Sequence, residues 1–90
     1  MDTYTCTADM LIPGDVILDD RSGPLLILHR ETKQIDGRIR FILLSTGGDR
    51  FHRTYHAIRV LAIKPLGAAR LLQQSDHLQA AVGRFMETFA

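Results

Sequence analysis

The chain has a single cysteine, no tryptophan, three prolines and no apolar run near the ~20 residues that a membrane-spanning helix needs. Each shortage removes a class of protein. A lone Cys6 has no partner for an internal disulfide, so a secreted disulfide scaffold is excluded and a reducing, cytoplasmic setting is expected. Without a long apolar segment no membrane association is expected. Residues 1–10 carry Asp2 and Asp9 and lack a basic start, so they do not read as a secretory leader. At 90 residues there is room for one modest core, and none for a (β/α)₈ barrel or a large nucleotide-binding domain.

What is present is unevenly distributed. The net charge is only +1, yet residues 1–24 hold five aspartates against Arg21, while residues 25–70 hold nine bases against Glu31, Asp36 and Asp49. The middle of the chain is therefore basic, and most of its bases are arginine, the side chain suited to bidentate and stacked contacts.

That middle also carries strand signals, in short apolar runs separated by turn residues at regular spacing. Pro13-Gly14 precedes Val16-Ile17-Leu18, and the polar loop Asp19 to Pro24 leads into Leu25 to Glu31. Asp36-Gly37 between two apolar runs marks a hairpin, after which Arg38 to Ser45 alternates. Ile39, Phe41 and Leu43 fall on one face, and Arg38, Arg40, Ile42 and Leu44 on the other. Thr46 to Asp49 makes the next turn, followed by Arg50 to Ala57 and a fifth strand, Ile58 to Ile63. Val16, Leu26 or Ile27, Ile39, Phe41, Leu43, Tyr55 and Val60 are expected to share one interior.

Beyond Pro65 the period changes. Leu71, Leu78, Val82, Phe85 and Phe89 recur at helical spacing and predict a helix over most of 68–88, with a break near Ser75. Gly83 costs roughly 1 kcal/mol relative to alanine inside such a helix, which implies a close packing contact or a local weakness. The apolar stripe needs a cover, either the sheet or a second copy in a homodimer. The expected organisation is a small β domain over 1–65 followed by a helical segment over 66–90. The fold class is mainly β, a small five-stranded antiparallel barrel followed by a C-terminal α-helix.

The Gly14-Asp15-Val16-Ile17 entry, the loop closing at Gly23-Pro24 and the two tight turns resemble the small Src-homology-type β-barrels, and among them the KOW element of ribosomal and transcription-factor barrels. The resemblance covers residues 10–63 and implies a barrel that binds a partner. Leu25-Leu26-Ile27 stands where the KOW pattern places further glycine, and the tryptophan of peptide-gripping barrels is missing, so no ligand is carried over.

Catalytic and metal chemistry find little support. His52 and His56 would share a zinc ion on a helix, but on a strand they stand about 13 Å apart at ~3.3 Å per residue. Cys6 has no recognisable oxyanion loop, Asp19-Asp20 beside a Gly-Pro turn reads as a solvated loop, and Gly47-Gly48 lacks the lysine of a phosphate-binding loop. A non-enzyme without cofactor or metal is expected. The remaining candidates are Arg38, Arg40, Arg50, Arg53 and Arg59, interleaved with Phe41, Phe51 and Tyr55. This pattern points to nucleic-acid binding by phosphate attraction and base stacking, as in an accessory protein of a bacterium or phage. The alternative is a protein-interaction module or small inhibitor, with the same arginines meeting an acidic protein surface.

Overall fold

A computed structural model describes residues 4–31, 36–64 and 78–89. Strands β1 (Tyr4–Thr7), β2 (Val16–Asp19), β3 (Gly23–Arg30), β4 (Arg38–Ser45), β5 (Arg50–His56) and β6 (Val60–Lys64) form one antiparallel sheet in the order β1-β6-β2-β3-β4-β5. A 3-10 turn, Ala8–Met10, follows β1, and helix α1 spans Leu78–Phe89. The mainly β reading with a C-terminal helix holds. The five-stranded closed barrel is corrected to six strands in an open sheet, with β1 and β5 as its edges and no ladder between them among the described residues.

The added strand is β1, around Cys6, ahead of the five strands expected from the sequence. Its pairing partner lies more than fifty residues away, with Tyr4 opposite Ile63 and Thr7 opposite Val60. Tyr and Thr favour a pleated surface, but only that distant ladder makes the segment a strand. The sheet curls enough to bring Ile17 of β2, Phe41 of β4, Tyr55 of β5 and Leu61 of β6 into one buried cluster. At one end Ala8 N–H donates to Arg59 O (2.9 Å) and Asp9 N–H to Ala57 O (3.1 Å), tying the 3-10 turn to the β5–β6 connection.

The two faces of the sheet bury different side chains. Ile17, Leu25, Ile27, Ile39, Phe41, Leu43 and Tyr55 line the inner face, whereas Val16, Leu26 and Leu44 lie on the outer face against Phe85 of α1. Val16 is thus buried as expected, but under the helix and not in the shared interior. Val60 is corrected outright: it is 63% exposed, while Leu61 and Ile63 point inward. The expected strand begins at Ile58, but residues 57–59 are a turn, closed by Arg59 N–H donating to His56 O (2.9 Å). Starting the strand two residues later leaves the alternation to be set by the ladder with β1, where Leu61 faces Cys6.

In β3 the register slips between Ile27, opposite Leu43, and His29, opposite Ile42, so Leu28 is an extra bulged residue. Beyond it Arg30, opposite Phe41, donates from Nη1 to the carbonyls of Asp9 and Leu11, each at 2.9 Å. This arginine closes the end of the core by holding the 3-10 turn. Gly37 (φ +82°) and Gly48 (φ +89°) occupy the left-handed conformation that the two hairpin turns demand.

Helix α1 buries Ala81 and Phe85, with Val82, Met86 and Phe89 half-buried beside them. Val82, Phe85 and Phe89 of the stripe expected from the sequence are therefore covered by the chain's own sheet. Leu71, the break near Ser75 and any helix before residue 78 lie outside the described residues. A Cβ added at Gly83 would meet nothing within 4 Å, so this glycine is a local weakness and not a packing contact.

Candidate binding site

The β4–β5 ladder divides the candidate arginines between its two sides. Arg38 stands opposite His56, Arg40 opposite Thr54 and Arg50 opposite Leu44, all on the outer face. Arg53 stands opposite the buried Phe41 and so belongs to the inner face, with Phe51 and Tyr55. Arg59 follows the strand and returns over the Tyr55 ring, its guanidinium carbon 5.3 Å from the ring centroid.

Three of the five are joined to carboxylates of the same chain. Arg38 Nε lies 3.4 Å from Asp36 in a largely exposed pair, the kind that contributes little in water. Arg40 grips Glu31 with both Nε and Nη2, the second bond at 3.0 Å, in the fork geometry suited to a carboxylate. The hydrogen bond from Arg40 is also the main reason the Glu31 carboxyl is held below its ordinary value. Arg53 Nη1 donates to Asp19 at 2.7 Å and Nη2 to Ser22 Oγ at 3.3 Å, while its guanidinium lies 5.2 Å from the Phe51 centroid.

Asp19 is fixed by its own loop. Its Oδ1 accepts from the N–H groups of Arg21 (2.8 Å) and Ser22 (2.9 Å), and the Ser22 bond is the largest cause holding its carboxyl below the usual carboxylate range. The β2–β3 turn is thereby set against β5, and an open cleft of about 490 Å³ forms between them. It is lined by Asp19, Asp20, Arg21, Arg53, Tyr55 and Arg59. Arg53 and Arg59 are the two predicted residues that the fold brings together, and Arg21 joins them. The sequence signal for the loop, an aspartate two and three residues before the amides it accepts, reveals the turn. It does not reveal that the turn packs on a strand more than thirty residues away.

Burial removes most of the aromatic surface. Phe41 is fully buried, Tyr55 is buried beneath Arg59, and Phe51 is half-buried beside Arg53. Of these three rings only Phe51 keeps part of its surface exposed, and Arg53 lies over it.

The polar edges of the sheet are positioned as strongly as its side chains. Ala57 N–H donates to Gly37 O (2.9 Å) and Ser45 N–H to Asp49 O (2.9 Å), while Arg40 O accepts from Glu31 on the other side (2.9 Å). Antiparallel alternation then points the N–H and C=O groups of Phe51, Arg53 and Tyr55 at β4, and those of Arg50, His52 and Thr54 away from the sheet.

Cys6 lies half-buried on β1, and burial raises its thiol pKa first, with Asp15 and Asp9 adding to the effect. It is poorly placed as a thiolate nucleophile. His52 and His56 lie on a strand, as the spacing argument requires, and the described residues contain no cluster of three ligating side chains. No helix among the described residues is long and apolar enough to cross a membrane. Comparison with protein-family models, curated proteins and solved structures gives no match to this chain.

Proposed function

We propose that this chain is a non-catalytic binding module whose partner is an acidic protein segment, received beside the cleft between β5 and the β2–β3 turn. The observation that carries the reading is the state of the arginines. Arg38, Arg40 and Arg53 are already paired with carboxylates, whereas Arg21 and Arg59 border the cleft without a salt bridge among the described residues, Arg59 acting on Asp19 only through its field. A guanidinium held over an aromatic ring is pre-oriented, so little side-chain entropy is lost when a carboxylate arrives.

The nucleic-acid reading expected from the sequence needs phosphate contacts from Arg38 and Arg40 and rings for base stacking. On the described residues those arginines carry their own counter-charges, Phe41 and Tyr55 are buried and Arg53 lies over Phe51, which favours the protein partner. The two readings separate in one titration, in which a labelled peptide of alternating glutamate and threonine is compared with single-stranded and duplex oligonucleotides at about 0.15 M salt. Binding of the peptide alone is expected. Retention of an oligonucleotide, with log affinity falling against log salt at about −0.7 to −0.9 per phosphate contact, would overturn the proposal.

A further inference from the structure

We infer that the acidic partner binds as an added β-strand on the free edge of β5. This rests on the acidic-partner reading and specifies how it is achieved. The register leaves the edge-facing N–H and C=O groups of Arg50, His52 and Thr54 without a backbone partner among the described residues, while those of Phe51, Arg53 and Tyr55 hold β4. An extended segment laid along this edge satisfies the free groups by main-chain hydrogen bonds, and its side chains alternate between the two faces. On the inner side they meet the cleft, where Arg21 and Arg59 are the cations without a salt bridge among the described residues; on the outer side they meet Arg50, His52 and His56. Asp20 and Asp49 are the opposing carboxylates near this edge, and the unpaired arginines outnumber them.

The occupant is a different chain and not a second copy. Strand β5 carries Arg50 and Arg53 and no carboxylate, so pairing it with itself by a two-fold axis would bring like charges together without a single opposite charge, an arrangement that repulsion disfavours. A strand carrying carboxylates at alternate positions has no such conflict.

The test titrates the alternating glutamate peptide into the full chain and into Thr54→Pro. The substitution removes an N–H that faces solvent, leaving every β4 bond in place. Binding should weaken at least tenfold in Thr54→Pro with the thermal melt retained, and several-fold in Arg59→Glu. So that the answer does not depend on the folding of the proline variant, the same question is put to the intact protein with two peptides N-methylated on opposite alternate amides. One phase should abolish binding and the other should not. If Thr54→Pro and both methylated peptides bind like the originals, the strand addition is wrong although an acidic partner still binds. If no peptide binds wild type and an oligonucleotide does, the acidic-partner reading itself fails. A wild-type dimer that becomes monomeric in Thr54→Pro would make the occupant a second copy and overturn the inference.

Discussion

Phe85 is the largest fully buried side chain of α1 among the described residues, and truncating it to alanine tests the packing of the whole outer face. The ring is fully buried among Val16, Leu26 and Leu44, and its centroid lies 5.4 Å from that of Phe89 at an interplanar angle of 43°. Returning a buried phenylalanine to water costs about 1.5–3 kcal/mol. The cavity left behind raises the expected loss to about 3–5 kcal/mol, and part of the ring-pair term, about 0.5–1.5 kcal/mol, goes with it. A chain of 90 residues has roughly 5–13 kcal/mol in total, at about 0.05–0.15 kcal/mol per residue. Phe85→Ala should therefore remove about a quarter of the stability or more. Urea unfolding followed by circular dichroism gives the loss directly, and amide exchange shows how it is taken. If the helix undocks alone, its own amides lose protection while those of β4 and β5 keep theirs. A loss below about 1 kcal/mol with an unchanged helical signal would refute the docking of α1 through this residue.

Other consequences follow from single positions. Gly83→Ala, in the same helix, should move stability the opposite way by about 0.5–1 kcal/mol, since the new methyl meets open space; a lower urea midpoint would contradict this. Asp19 has a folded pKa below its ordinary value, so its stabilisation is in place above that ordinary value and fades as pH falls through the folded one. Asp19→Asn should flatten the acid limb of the melting temperature against pH, and an acid limb of unchanged slope would show that the Ser22 and Arg53 bonds are not formed in solution.

Local chemistry makes much of this structure readable in the sequence. Asp36-Gly37 and Gly47-Gly48 mark the ends of β4, and strict alternation places Ile39, Phe41 and Leu43 on the buried side. What stayed hidden depends on distant partners. Tyr4–Thr7 becomes a strand only because β6 returns beside it. Val16 and Ile17 are equally apolar, and which of them faces the helix is decided by a long-range contact with Phe85. The bulge at Leu28 turns on register, which the apolar run Leu25 to Leu28 does not encode. The same limit applies to the site. The arginines were visible as a basic cluster, but whether each is free or paired depends on which carboxylate the fold sets beside it, as Asp19 beside Arg53.

Amide hydrogen exchange along β5 measures the free edge most directly. In the isolated protein the amides of Phe51, Arg53 and Tyr55 should exchange slowly and those of His52 and Thr54 quickly, a strict alternation that only an edge strand bonded on one side produces. Addition of the acidic peptide should slow His52 and Thr54 and leave the others unchanged. Uniform protection of all five amides in the free chain would mean that β5 is already paired, and would contradict an edge open to a partner.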